Sequence, residues 1–291
     1  MNNLNAINNL TRSGEWAISD RGFMNFLTRD REAASQHLKQ SPEAYHNPDK
    51  VEHIREMLSL YYNQRQPMEV EMGFAFIYVY GALLTDASPI DLGMGSTDYA
   101  EIISDIEAAE MNDAIHTVIF CVDSPGGMVS GMLEVVNAIR DMNKRTVGYV
   151  LGHATSAAYA LLSQCGFVAA SASSTSGNIG TVLKWSDMSK MFEMMGITEN
   201  VMTNEGATLK STFHESPMSE EQKTFLQARI TQLGEEFWDL VKAARAQVSD
   251  ECKLAGWYQP EDAGRLGLID MTSTKVELIT YLSENIDTLQ A

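Results

Sequence analysis

Residues 117–165 read Thr-Val-Ile-Phe-Cys-Val-Asp-Ser-Pro-Gly-Gly-Met-Val-Ser-Gly-Met-Leu-Glu-Val-Val-Asn-Ala-Ile-Arg-Asp-Met-Asn-Lys-Arg-Thr-Val-Gly-Tyr-Val-Leu-Gly-His-Ala-Thr-Ser-Ala-Ala-Tyr-Ala-Leu-Leu-Ser-Gln-Cys. Val118 to Val122 is a continuous apolar run, the pattern of a strand buried on both faces. The run ends at Asp123-Ser124-Pro125-Gly126-Gly127. Two adjacent glycines allow positive φ and leave backbone N–H groups bare, free to face an anion. Met128 to Met142 carries Met128, Met132, Val135, Val136 and Ile139 near helical spacing. Thr146 to Leu151 is a second apolar strand, Gly152 to Thr155 a short turn, and the small residues from Ser156 onward predict a buried helix starting close to that serine.

Two strand–loop–helix units therefore bring a Gly-Gly loop and a serine to one edge of a parallel sheet, where open α/β sheets bind ligands. That pairing suits acyl transfer. Ser156 attacks a carbonyl, and backbone N–H groups of Gly127 and Ala157 hold the oxyanion, with Gly126 shaping the turn. A tight turn and a helix N-cap explain either motif taken alone; the two together favour the chemistry.

Asp-Ser-Pro-Gly-Gly-Met-Val-Ser-Gly at 123–131, followed by Ala-Thr-Ser-Ala-Ala-Tyr at 154–159, resembles the signal peptide peptidase A family of serine peptidases, peptidase family S49. The phage capsid (prohead) proteases are a branch of it. The resemblance covers roughly residues 70–275. It implies an α/β fold with a ClpP/crotonase-like repeated ββα core, and a Ser–Lys dyad.

Histidine is the commonest base for a serine. A Ser–His–Asp arrangement of the ClpP type needs one on the helix after the serine helix, and no histidine lies between His153 and His214. His153 sits in the turn before Ser156, and His214 in a long loop. Lysine is the alternative, provided apolar neighbours desolvate its ammonium. Among Lys184, Lys190, Lys210 and Lys223, Lys190 and Lys223 read as solvated. Lys210 lies between Leu209 and Phe213, and on composition alone reads as a loop lysine. The resemblance selects Lys210. The family places its lysine in a loop before a Pro and a helix starting Ser-Glu, and Gly206, Lys210, Pro217, Ser219 and Glu220 follow that order. The family interval from Gly to Lys is one residue shorter, and the stretch to the proline is shorter than here. Where the family commonly has Gly-Ser-Ile-Gly, this chain has Gly177-Asn178-Ile179-Gly180. The helper near the lysine is then Asn178, with Ser176 or Thr175 as substitutes.

The chain has 291 residues, 44% hydrophobic and 21% charged, ordinary values for a globular protein. Net charge is −18, from 21 basic and 39 acidic residues. That argues against nucleic-acid partners and anionic membrane surfaces, which need basic patches. Cys121, Cys165 and Cys252 have no metal-ligand spacing and read as free, buried thiols. The reading calls for no metal and no cofactor. No 18-residue apolar run predicts a membrane span, and the N-terminal residues lack a secretory pattern. The expectation is a cytoplasmic protein, or one acting inside a procapsid if phage-encoded, without a membrane anchor and without a C-terminal scaffold fusion.

Residues 1–66 form a polar extension with apolar spots at Trp16-Ala-Ile and Phe23-Met-Asn-Phe-Leu and short helices over Ala33–Lys39 and Val51–Tyr62. Residues 67–291 form the peptidase domain. Met68–Leu84 is a strand pair or one long strand. A helix follows Gly95 with Ser96 or Thr97 as its cap. Phe167–Ala172 is a strand, 173–180 a polar loop, Asp187–Met195 a helix, Ile197–Thr203 strand-like, and 204–218 a long loop. Ser219-Glu-Glu-Gln is a capping box. It opens a helix to about Ala246 with Phe225, Ile230, Leu233, Phe237, Leu240 and Val241 on one face. Lys275–Gln290 is a terminal helix. The functional expectation is a Ser–Lys endopeptidase acting on protein or peptide substrates. Capsid and scaffold proteins are the expected substrates, and the expected assembly is a homo-oligomeric ring whose sites are shared between protomers. A general cytoplasmic peptidase, a crotonase-like acyl-CoA enzyme and an inactive capsid-assembly protein are the alternatives.

Overall fold

The structure is a computed structural model and describes residues 16–18, 68–198, 200, 202–210 and 218–285. The helices expected at 33–39 and 51–62 lie outside these residues.

Among the described residues, one ten-stranded sheet organises the fold. Its parallel centre is β3 (Phe74–Leu84), β5 (Thr117–Met128), β6 (Arg145–Thr155) and β7 (Phe167–Ala170), hydrogen-bonded in the order β3-β5-β6-β7. β2 (Glu69–Glu71) pairs antiparallel with β3 at one edge, so Met68–Leu84 is a hairpin. β10 (Met271–Thr272) pairs parallel with β7 at the other edge. Three short strands attach near the ends of the long ones. β4 (Thr97–Asp98) joins β3, β8 (Thr175–Gly177) joins β6, and β9 (Trp257–Tyr258) joins β8. The apolar spot at Trp16–Ile18 is β1, antiparallel to the end of β5.

Alternation along each central strand divides the apolar side chains between two faces. Ala75, Ile77, Val79, Val118, Phe120, Val122, Val150 and Val168 belong to the larger core. Phe74, Phe76, Ile119, Cys121, Val147, Tyr149 and Ala169 belong to a second one, closed by Leu278 and Leu282 of the terminal helix, Lys275–Glu284. The continuous apolar runs are continuous because both faces are covered.

The helices between these strands pack on the larger core. α1 (Pro89–Gly93) is short. α2 (Tyr99–Met111) buries Ile102 and Ile106, and its cap is Asp98, whose carboxylate accepts the Ala100 N–H, rather than Ser96 or Thr97. Thr97 is drawn into β4, and its hydroxyl donates to the Tyr80 carbonyl. α3 (Met132–Arg140) buries Met132, Val135, Val136 and Ile139. It starts later than the apolar spacing predicts because Gly131 holds a left-handed backbone before it. α4 (Ala157–Ser163) is buried along its whole length. After it, α5 (Ser189–Met194) ends before Gly196, while the described residues of 197–203 form no strand. α6 (Glu220–Ala244) opens with the expected capping box and buries Leu233, Phe237, Trp238 and Val241. Phe225 is 52% exposed, so the first half of α6 stands away from the core. α7 (Pro260–Arg265) leads through Gly267 into β10, and the helix over Lys275–Glu284 is α8.

Two expectations about the decisive stretch need correction. β5 does not stop at Asp123 but runs on through the Pro-Gly-Gly segment to Met128, and β6 runs through the expected turn to Thr155. Partners on neighbouring strands outweigh the local turn preference, at the cost of register shifts at Ser124 and Ala82. Likewise the polar loop 173–180 contains β8.

Behind α4, the Arg245 guanidinium grips Asp270 with two bonds, 2.7 and 3.1 Å, and donates to the Gly267 carbonyl. Asp270 also accepts the Val168 N–H at 2.8 Å, so the pair ties the end of α6 to β7. The three cysteines are free and buried. Burial pushes the Cys121 thiol up to about 12 and the Cys252 thiol up to about 11, so neither ionises near neutral pH.

Candidate active site

Ser156 sits between the last residue of β6 and the first of α4, with φ 57° and ψ −128°. A side-chain-bearing residue rarely adopts that conformation, at a cost of about 1–3 kcal/mol. Its carbonyl accepts the N–H groups of Tyr159 and Ala160, and its own N–H donates to Gly177 of β8 at 2.9 Å. These bonds put it at the N-cap position, yet its hydroxyl caps nothing. The Oγ is directed to the Gly180 carbonyl at 3.5 Å, and the residue is fully buried. A serine kept only as a helix cap would spend its hydroxyl on the first-turn N–H groups. Here Ala157 and Ala158 stand in that first turn, where N–H groups have no intrahelical acceptor.

The glycine segment lies at the same sheet edge. Ser124 pairs with Ala154 across β5 and β6. The Thr155 hydroxyl donates to the Pro125 carbonyl at 3.0 Å, linking the residue before the serine to the residue before the glycines. The fully buried Ser124 hydroxyl donates to the Gly81 carbonyl at 2.6 Å and accepts the Gly126 N–H at 3.1 Å. Gly126 takes φ +102°. Gly127 approaches β3 so closely that a Cβ there would collide with the Leu83 carbonyl. The glycines therefore differ. The N–H of Gly126 is committed to Ser124, whereas Gly127 lies in the ladder between Leu83 of β3 and Ala17 of β1.

The remaining candidates are not drawn to Ser156. Lys210 is exposed, in a turn where its N–H donates to Ala207 and its carbonyl accepts from the Gln222 side chain at 3.2 Å. Among the described residues, no hydrogen bond joins Lys210 to Ser156 or to Asn178. The Asn178 amide donates to the Ala255 carbonyl at 3.0 Å, and its backbone N–H to Gly256 at 2.7 Å. Ser176 is buried in β8 between Ala154 and Tyr258. Thr175 bonds the His153 ring at 2.6 Å, and the His153 backbone N–H donates to Asp123 at 2.9 Å. That sets His153 aside as the base. His214 lies outside the described residues.

Sequence reading missed Ser124, Thr155 and Gly180. Ser124 carried a signal, since a hydroxyl two residues before a glycine forms the local turn seen here. The other two bond across strands and carried none. An open cleft of about 520 Å³ adjoins Gly180, walled by Ile179, Gly234, Trp238, Lys253 and Ala255. No helix among the described residues is long and apolar enough to cross a membrane, and no His, Cys, Asp and Glu cluster among them could hold a metal.

The model of the Clp protease family matches residues 75–172, which contain the glycine segment and Ser156. Protein MJ0651 of Methanocaldococcus jannaschii is 27% identical over 194 residues, 64% of this chain and 60% of that one. Protease 4 of Salmonella typhi is 26% identical over 231 residues, 76% of this chain and 36% of the relative. Capsid assembly protease C of Escherichia phage lambda is 23% identical over 229 residues, 77% and 52%. The chain thus spans about a third to three fifths of the length of these relatives. Among solved structures, a membrane-bound stomatin-specific protease aligns with TM-score 0.44 and 16% identity, over 73% of this chain and 85% of that one. An enoyl-CoA hydratase from Shewanella pealeana aligns with TM-score 0.45 and 12% identity, over 80% and 77%. The parallel strand–helix repeat is the expected ClpP/crotonase-like arrangement. With the model of peptidase family S49 matching residues 138–288, a little over half of its length, the chain belongs to peptidase family S49.

Proposed function

We propose that this chain is a serine endopeptidase working through a Ser156–Lys210 dyad, with one peptidase domain over 67–291 and an N-terminal extension over 1–66. The observation that carries the reading is the uncapped Ser156 hydroxyl, held at the start of α4 beside the Gly126-Gly127 segment. The Ser156 Oγ attacks a peptide carbonyl while the neutral lysine amine takes its proton. The oxyanion is stabilised by the N–H groups of Gly127 and Ala157, and the lysine then returns the proton to the leaving amine. Asn178, with Ser176 as its substitute, is the helper that hydrogen-bonds the lysine amine or positions substrate.

Lys210 comes from a neighbouring copy in a ring. Met194, Met195, Met202 and Leu209 are 88, 65, 97 and 41% exposed on the segment leading to Lys210. Such an apolar surface fits burial against a second copy. There the lysine also loses the water that keeps it charged. The substrates are proteins, and the likeness to the lambda capsid assembly protease favours capsid and scaffold proteins during head maturation.

The test is incubation of the protein with the capsid and scaffold proteins encoded beside it, and sequencing of the cut ends. New termini absent with Ser156→Ala support the reading, and cleavage retained in that variant rejects it. A serine-directed fluorophosphonate that labels Ser156 separates a working peptidase from an inactive assembly protein.

A further inference from the structure

We propose that β1 is a built-in occupant of the peptide-binding edge, so that Trp16–Ile18 must leave before a substrate strand can enter. The inference rests on the peptidase reading above and adds its regulation.

β5 is covered by β3 along its length, through the Leu83–Gly127 pair. On its other side, pairing with β6 reaches only Ser124–Ala154, because β6 ends at Thr155 and the chain turns at Ser156 into α4. From Gly126 to Met128 that side of β5 is an edge facing away from β3. An extended peptide adds to such an edge through main-chain hydrogen bonds. A peptide lying there runs beside the glycine that would hold the oxyanion, next to the nucleophile.

The edge is already taken. Trp16, Ala17 and Ile18 pair antiparallel with Met128, Gly127 and Gly126. Among the described residues β5 is the strand partner of β1. Ser156 itself is fully buried, so a carbonyl reaches it only after some neighbouring segment moves. Three residues make a short ladder, and a strand held by one partner opens at far lower free energy than the core. The device is therefore reversible. It also gives a role to one of the two apolar spots in the extension. The sequence holds a strand-forming piece just long enough to cover the two glycines and Met128.

The test uses the full-length chain and the double variant Ala17→Pro/Ile18→Pro. Successive N–H groups of a strand point to opposite sides, so prolines at both positions remove whichever one faces β5. Amide exchange is measured at Gly127 and Met128, adjacent residues whose N–H groups point to opposite sides so that one of them faces β1, with Val118–Val122 as the control that the sheet is intact. Fluorophosphonate labelling of Ser156 and hydrolysis of an unstructured protein are followed in parallel. Exchange at the edge is expected to accelerate roughly tenfold in the variant while the control stays protected. Labelling and hydrolysis are expected to rise by a similar factor, and a peptide of residues 11–22 added to the variant to reverse all three. Unchanged exchange at both Gly127 and Met128 overturns the proposal. So does faster exchange in a variant that labels and cleaves no faster than an active parent. Faster exchange when neither protein is labelled or cleaves rejects the peptidase reading itself, and the inhibitory role falls with it.

Discussion

The two residues of the proposed dyad sit in regions of opposite construction. Ser156 is fixed by bonds between segments distant in sequence. Its N–H reaches Gly177, Thr155 reaches Pro125, Ser124 reaches Gly81, and the Tyr159 hydroxyl reaches the Leu268 carbonyl at 2.8 Å. Lys210 is held at the surface, through Ala207 three residues before it and through Gln222 in the first turn of α6, whose side chain donates to the carbonyls of Thr208 and Lys210. One half of the proposed dyad is preorganised by the fold of a single chain. The other lies exposed in a surface turn.

Removing each half tests the contrast, and the nucleophile gives the larger effect. Ser156→Ala is expected to lower peptide hydrolysis by roughly a millionfold, the scale seen when a catalytic serine is removed. Lys210→Ala should cost about 10²–10⁴, the range for loss of a general base. If the base belongs to a neighbour, mixing Ser156→Ala and Lys210→Ala proteins under conditions that let protomers exchange restores part of the activity. Each mixed ring then contains some sites with both residues. Restoration that never exceeds the sum of the separate variants means that serine and lysine act from one chain.

The same division decided what could be read in advance. Val118–Val122 announced a two-faced strand because its burial is a property of the run itself, and the helical spacing from Met132 to Ile139 announced the buried face of α3. Ser156 was legible because small residues after a strand mark a buried helix start. The extension of β5 through Pro125-Gly126-Gly127 was not, since those residues taken locally signal a turn and their strand partners lie on β3 and β1. β8 was hidden in a polar loop for the same reason, as its partners β6 and β9 are remote. The cap of α2 moved to Asp98 because Thr97 is recruited into β4. Phe225 fits the apolar face of α6 by spacing, but nothing among the described residues buries it. Lys210 had no signal of its own, because an exposed lysine in a turn looks like any loop lysine.

The contrast extends to stability. Arg245 is 3% exposed while its partner Asp270 is 28% exposed at the side chain. Arg245→Met leaves the Asp270 charge in a largely enclosed site behind α4 and should destabilise by about 3 kcal/mol, the low end for breaking a buried pair because Asp270 retains some water. Urea unfolding measures it. A neutral substitution of the exposed Lys210 should change the same midpoint by less than about 0.5 kcal/mol. Equal losses would mean that the Lys210 turn is as integral to the single chain as the serine half.

The smallest effect bears on why the serine is there at all. At φ 57°, ψ −128° a glycine is at ease and any side chain is strained. Ser156→Gly and Ser156→Ala both remove the hydroxyl and its 3.5 Å contact with Gly180, so that contact cancels between them. What remains is backbone strain, set against the greater freedom of glycine in the unfolded chain. Strain at such a site is worth about 1–3 kcal/mol and the glycine entropy about 0.5–1 kcal/mol, so the glycine variant should be more stable than the alanine variant by about 1 kcal/mol. Chemical denaturation of the two inactive variants side by side measures the difference. A stable glycine variant means that the fold tolerates a strained serine for its hydroxyl, the mark of a site kept for chemistry. An alanine variant at least as stable would mean that the surrounding bonds make this conformation comfortable for any residue, and the strain would cease to support Ser156 as the nucleophile.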